Sequence, residues 1–329
     1  MVFHKKYSLI LISFFVSLGL MIAKFMAYYM TYSSAILTDA LESIINVVAS
    51  GFAFYAIYLA SQPRDLNHPY GHGKIEFFSA GLEGVLIVLA SVFIVFHAIQ
   101  GLVNPQPIVE LKIGLTIITV GIIINYGLGY FLEKQGVIRN SLILIADGQH
   151  LKLDAVSGLI LVLAVLIVYA TNIYWIDGAA SILFAIFMGW NGVKIIRKSI
   201  GGLMDETNVE VLEKVVNILK NHQKSEWIDI HNMRIQEYGA DIHIDCHITL
   251  PNYWDLMKVH ETVHEFEEIL EKEFPSNVEI FIHADPCMPE CCHYCKVENC
   301  PIRQSSLTTN INWNKVNLTL NQKHFAENI

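Results

Sequence analysis

Six stretches of this 329-residue chain are long and apolar enough to cross a lipid bilayer, and no other feature restricts its fold as severely. A spanning helix needs about 20 apolar residues. Lipid offers no partner for backbone N–H and C=O groups, so each stretch has to satisfy them internally as a helix. The stretches run approximately over residues 7–29, 34–60, 77–100, 113–132, 141–170 and 176–193. All lie in the first two hundred residues; the remainder alternates charge with hydrophobicity like a soluble domain. Hydrophobic residues make up 53% and charged residues 16% of the chain, with mean hydropathy +0.42, values that belong to a membrane protein. The opening MVFHKK has the look of a secretory signal, but the run 7–29 exceeds an h-region of about 7–15 residues and no small-residue cleavage site follows. It is read as the first membrane helix, with Lys24 snorkelling outward.

Charge sets the expected topology. The connections on the N-terminal side hold Lys5, Lys6, Arg64, Lys74, Lys134 and Arg139, and the end of the sixth segment adds Lys194, Arg197 and Lys198. The opposite loops offer little beyond Lys112. By the positive-inside rule both termini are cytoplasmic. A net charge of −9 argues against nucleic acid as a partner and is compatible with attracting cations.

Two of the apolar segments carry charge. Residues 147–154 read DGQHLKLD, and residues 38–50 read TDALESIINVVAS. His150 and Asp154, like Glu42 and Asn46, stand four apart, on one face of a helix. Asp39 and Asp147 each precede the first of a pair by three residues. A single polar residue in a membrane helix is more often a helix–helix hydrogen bond than a binding site, and Asp39 and Asp147 fit that description. The same charged pair occurring twice points further, because ionisable groups at bilayer depth are costly and mark functional sites. Two helices with ligand-type side chains at i and i+4 supply four ligands to one metal.

The loop after the second segment, SQPRDLNHPYGHGKIE, places Asp65, His68 and His72 within eight residues. That spacing suits a second, cytosol-facing metal site, and capping or solvation of a turn-rich loop explains the same residues equally well. Beyond Gly202, residues 209–222 and 256–274 have helical period and residues 228–236, 241–250 and 277–283 have strand period. The order is αββαβ, a small α+β domain with two helices on one face of a three-stranded sheet. In the second strand Ile242, Ile244, Cys246 and Ile248 face one way, and His243, Asp245 and His247 the other. Val259, Val263, Phe266 and Leu270 form the apolar face of the second helix. That helix also contains HETVH (260–264), the HExxH pattern of zinc proteases. Glu267 and Leu270 stand where a metzincin would have Gly and His, which ranks peptidase chemistry well below transport.

Five of six cysteines crowd into CMPECCHYCKVENC: Cys287, Cys291, Cys292, Cys295 and Cys300, including a CxxC from Cys292 to Cys295. Such spacing is a thiolate metal-binding signal of structural or sensory type, and in a cytosolic compartment the thiols are expected to be reduced. The tail after Ile302, rich in Ser, Thr, Asn and Gln, is expected to be disordered. The domain plan is therefore a six-helix membrane domain over 1–202, a cytosolic α+β domain over 203–286, and a Cys-rich extension with its tail over 287–329.

Several stretches together resemble the cation diffusion facilitator family of metal/proton antiporters. TDALESIINV and ADGQHLKLDAVSG are similar to its metal-site helices and LNHPYGHGKIE to the loop after its second helix. WIDGAASI and GLMDET are similar to the start of its sixth helix and the approach to its cytosolic domain, and IHADP to the end of that domain. The resemblance runs from about Ser8 to Pro286. It implies six membrane helices, a ferredoxin-like αββαβ cytosolic domain, and a homodimer in a bilayer. It also implies a transport site at Glu42, Asn46, His150 and Asp154 and a loop site at Asp65, His68 and His72. A cytosolic site falls on His231, His247, His260, His283 and Asp285, and a Lys74–Asp205 charge pair ties the third helix to the cytosolic domain. Glu42 and Asn46 depart from the His or Asp followed by Asp usual in zinc members. The resulting three oxygen ligands to one nitrogen lean toward Mn²⁺ or Fe²⁺ and still accept Zn²⁺.

The expected function is export of a divalent transition metal from the cytosol, Zn²⁺ first and Fe²⁺ or Mn²⁺ as the other candidates, with protons as counter-ion. The expected location is a bacterial inner membrane. A membrane metalloprotease and a metal sensor without transport are the alternatives, and neither gives the second and fifth segments a reason to carry charge.

Overall fold

A computed structural model describes residues 2–32, 34–103, 111–138, 142–171, 175–239, 241–274 and 278–324. They belong to two compact units, Met1–Met204 and Asp205–Ile329.

The first unit consists of six long helices: α1 (Val2–Thr31), α2 (Ser34–Ala60), α3 (Ile75–Val103), α4 (Leu111–Ile138), α5 (Leu142–Thr171) and α6 (Trp175–Leu203). Five contain spans of 22 to 26 residues long and apolar enough to cross a membrane. α5 is 30 residues long and carries Asp147, His150, Lys152 and Asp154 in its first half. The unit is turned inside out relative to a soluble bundle. Ser13, Lys24, Asp39, Glu42, Asn46, Asn125 and Asp154 are buried, whereas Phe15, Phe96, Ile123 and Leu183 face outward. An apolar exterior of this extent requires lipid around it.

α3 packs along α6 and α4 along α5, with α2 between α1 and α3. Glycines bring these backbones together: a Cβ at Gly148 of α5 would meet Gly129 O of α4 at 2.7 Å, and one at Gly84 of α3 would meet Gly192 O of α6 at 2.9 Å. Small residues allow this close approach of membrane helices. Lys24 does not snorkel. It is 4% exposed, and its Nζ lies 2.8 Å from Asp39 Oδ1. α2 supplies a carboxylate at that depth, so the ammonium gains more by pairing than by reaching for the interface.

The second unit follows the expected αββαβ order. Helix α7 (Val209–Asn221) is capped by Asn208, whose Oδ1 accepts from Glu210 N at 3.0 Å, and buries Leu212, Val215, Val216, Ile218 and Leu219. Strands β1 (Asp229–Tyr238) and β2 (Asp241–Leu250) pair antiparallel, and β3 (Val278–Pro286) joins β2 in parallel after helix α8 (Leu256–Glu273). Ile244, Cys246 and Ile248 of β2 point into one core with Trp227, Phe266 and Leu270. The register aligns His231 with His247 and His247 with His283, so three histidines form a row across the sheet.

Residues 303–324 of the tail pack against the domain, contrary to the expectation of disorder. Ile311, Trp313 and Leu318 are buried in the same core, and a short helix, α9 (Lys315–Thr319), is capped by Asn314, whose Oδ1 accepts from Val316 N and Asn317 N at 2.9 Å. The chain then meets the bulge in β1, where Asn232, at φ 51°, donates its N–H to Leu320 O at 2.6 Å. Asn312, Asn314 and Asn317, part of the composition that suggests disorder, form a cap and a turn here.

Candidate metal centres

Within the membrane unit, α2 and α5 bring their paired side chains to one point. Asn46 Nδ2 donates to Asp154 Oδ2 at 2.6 Å, and His150 Nε2 lies 2.9 Å from Asn46 Oδ1 and 3.4 Å from Asp154 Oδ1. Glu42, one turn before Asn46, is buried beside Asp154 and Asp39. Asp39 and Asp147 serve as interhelical bonds: Asp39 holds Lys24 of α1, and Asp147 Oδ2 accepts from Ser13 of α1 at 2.8 Å. Three helices are thus fixed around the Asn46–His150–Asp154 contact.

A fifth group was not singled out from the sequence. Glu83 of α3 sets Oε1 3.3 Å from His150 Nδ1. Both ring nitrogens of His150 therefore face oxygen, as in an imidazolium donating from each side. A carboxylate behind one nitrogen fixes the ring and aims the other at the site, the usual outer-shell partner of a metal-binding histidine. The signal was available: with His97, Glu83 is an ionisable residue inside the apolar run 77–100. Glu83→Gln is expected to weaken metal binding about 10- to 100-fold, read by competition with a metal-sensitive dye. An unchanged affinity would remove Glu83 from the site.

The loop between α2 and α3 gathers Asp65, His68 and His72 into one ligand-sized group. Asp65 Oδ1 accepts from His68 N at 2.7 Å and Asn67 N at 2.9 Å, and His68 Nδ1 lies 3.0 Å from it. His72 Nε2 approaches Oδ2 at 3.5 Å. The His68 N–H leads the groups that hold the Asp65 carboxyl below its usual range, so it remains an anion. Gly71, at φ 88°, turns the chain back to make the contact.

In the second unit the histidine row converges on Asp285. His231 Nε2 and His247 Nδ1 approach Asp285 Oδ2 at 3.4 and 3.1 Å, and His283 Nε2 approaches Oδ1 at 3.6 Å. Burial lowers the His231 pKa, which favours the neutral, ligating form. Three further residues stand behind the cluster. Fully buried Asp229 accepts from His324 Nδ1 at 2.7 Å and His324 N at 3.1 Å and faces His231 Nδ1 at 3.6 Å, while Lys323 Nζ lies 3.9 Å from Asp285. The tail thus closes one side of the site, a role hidden by its composition. His260 is not brought to this group: it lies exposed on α8, its ring stacked 6.4 Å from that of His264. Glu261 is exposed too, and His264 pairs with Glu267 and Glu268 at 3.6 and 3.5 Å. HETVH joins no group of three ligands among the described residues, which disfavours the protease reading.

All six cysteines are free thiols. Cys246 is sealed in the core, and burial pushes its pKa up to about 12. Cys287, Cys291, Cys292, Cys295 and Cys300 line one small cavity of about 40 Å³.

Six apolar-faced helices around buried carboxylates, and a soluble domain with its own His/Asp cluster, define a membrane protein that handles divalent metal ions. Sequence comparison agrees: residues 10–204 match the cation efflux transmembrane domain and residues 208–287 the cation efflux protein cytoplasmic domain. The chain belongs to this cation efflux family, the cation diffusion facilitators, and is a transporter of divalent metal cations rather than an enzyme. The chain is 26% identical over 275 residues to the cation-efflux pump FieF of Shewanella oneidensis, covering 83% of this chain and 92% of that one. It is 27% identical over 287 residues to the manganese efflux system protein MneP of Bacillus subtilis (85% and 96%). A third relative, the cadmium, cobalt and zinc/H(+)-K(+) antiporter of Bacillus subtilis, is 25% identical over 278 residues (84% and 88%).

Proposed function

We propose that this protein exports a divalent transition metal from the cytosol in exchange for protons, with Zn²⁺ as first cargo and Fe²⁺ or Mn²⁺ as alternatives. The observation that carries the proposal is the convergence of Asn46, His150 and Asp154 inside the helix bundle. Glu42, Asn46, His150 and Asp154 are the proposed ligands. A metal at His150 Nε2 takes the position of the proton aimed at Asn46 and Asp154, so loading releases a proton and reprotonation from the far side releases the metal. Glu83 keeps the ring oriented in both states. The names of the Bacillus relatives, one for manganese and one for a proton-linked antiporter of cadmium, cobalt and zinc, support both the cargo class and the coupling.

The remaining assignments follow from this reading. The protein works as a homodimer in a bacterial inner membrane with both termini cytoplasmic. Asp65, His68 and His72 receive metal at the cytosolic face. The cluster around Asp285 binds cytosolic metal and adjusts transport to load.

The test is uptake of Zn²⁺, Mn²⁺, Fe²⁺, Co²⁺, Ni²⁺ and Cd²⁺ into proteoliposomes with an imposed pH gradient. Zn²⁺ is expected to move fastest, at a rate that rises with the gradient. Flux indifferent to the gradient would remove the proton exchange, and faster Mn²⁺ than Zn²⁺ would reassign the cargo.

A further inference from the structure

We propose that Cys287, Cys292, Cys295 and Cys300 together hold one zinc ion as a tetrahedral thiolate site that clamps the C-terminal extension to the cytoplasmic domain. The site lies at and beyond the edge of the family match, which ends at residue 287, and the proposal stands independently of the transport reading.

Five of the side chains that line the cavity are thiols with no disulfide partner. Cys287 has Cys292, Cys295 and Cys300 as electrostatic neighbours, and Cys295 has Cys292 and Cys300. Cys292 lies on the 3-10 turn Pro289–His293 and Cys295 two residues beyond its end, the two forming a C-x₂-C pair. Backbone donors already point at the sulfurs: Asn252 N–H reaches Cys287 Sγ at 3.4 Å and Val297 N–H reaches Cys295. Hydrogen bonds of this kind support metal-bound thiolates.

Cys291 is the odd member. Successive residues on a 3-10 turn diverge by about 120°, and Cys291, next to Cys292, is the most buried of the five at 1% exposed, its sulfur accepting from Met288 N at 3.4 Å. Four thiolates remain, the number a closed structural zinc site takes.

Charge and geometry complete the case. Each coordinating thiol exchanges its S–H bond for an S–Zn bond and gives its proton to solvent, leaving a site of net charge 2−. Arg303 stands beside it as the compensating cation, and its guanidinium donates to the carbonyls of Cys292, Cys295 and Val297 at 3.2, 3.1 and 2.6 Å. No three thiols among the described residues lie within 4.8 Å of one another. Tetrahedral bonds of about 2.3 Å bring sulfurs to about 3.8 Å, so zinc draws the loop inward and fixes the tail that carries Lys323 and His324.

The test uses the full-length protein in detergent with Co²⁺ as spectroscopic probe. Thiolate-to-cobalt charge-transfer absorption is expected in the wild type and in Cys291→Ser, displaced by Zn²⁺, and lost in Cys292→Ser and Cys300→Ser. Cobalt bound without that absorption, or lost equally in Cys291→Ser, would overturn the assignment. Should the serine variants fail to fold, alkylation of the wild-type protein decides. Zinc is expected to shield Cys287, Cys292, Cys295 and Cys300, and a chelator to expose them; alkylation that ignores zinc would refute the site.

Discussion

A Lys24→Met substitution is expected to cost the membrane domain about 3–5 kcal/mol, the penalty for leaving one member of a buried ion pair alone. Lys24 and Asp39 are both buried, 2.8 Å apart, and Glu42 lies in the same field. Without the ammonium, Asp39 faces Glu42 and Asp154 with no counter-charge. The measurement is thermal or denaturant unfolding in detergent, with Lys24→Met/Asp39→Asn alongside. The double variant is expected to recover most of the loss, because it removes the stranded charge together with its partner. If Lys24→Met alone unfolds like the wild type, the pair contributes no stability and Lys24 has another role.

The second large effect concerns the cytoplasmic cluster. Asp285→Ala removes the carboxylate on which His231, His247 and His283 converge and which Lys323 approaches. Metal affinity at this site is expected to fall by at least about 100-fold, beyond the 10- to 100-fold lost with an outer-shell partner, as read by titration calorimetry. Affinity held within a few-fold would mean that the histidine row binds nothing through Asp285. The same site carries a pH signature. Burial holds the His231 pKa below that of an exposed imidazole, so the unfolded chain takes up a proton that the folded chain refuses. That part of the stability is complete above pH of about 6.5 and declines as the pH falls below it. An unfolding midpoint that rises on acidification through that range would reverse this sign.

The helices and the αββαβ order were legible because each rests on local periodicity: about 20 apolar residues for a span, period 3.6 for α7 and α8, period 2 for the strands. The paired ligands of α2 and α5 were legible for the same reason, since i and i+4 share a face. What escaped notice depends on contacts between elements. Glu83 belongs to the site only because α3 lies beside α5 at His150. Lys24 looked like a snorkelling residue until α2 supplied Asp39. His231, His247 and His283 were grouped only through the family resemblance, because the parallel pairing of β2 with β3 that aligns them is not revealed by spacing along the chain. The tail was misread for another reason: averaged composition concealed Ile311, Trp313 and Leu318, and three well-placed apolar side chains suffice to dock a polar segment on a core. HETVH erred in the opposite direction, a short pattern matched by residues that face solvent.

The central claim is that metal crosses the membrane through the Asn46–His150–Asp154 contact. Its most direct test is the initial rate of Zn²⁺ entry into proteoliposomes under an imposed pH gradient, wild type against Asp154→Ala at equal protein density. The account predicts gradient-driven entry for the wild type and a rate for the folded variant no greater than that of protein-free vesicles. Wild-type flux in Asp154→Ala would contradict it and place the path elsewhere in the molecule.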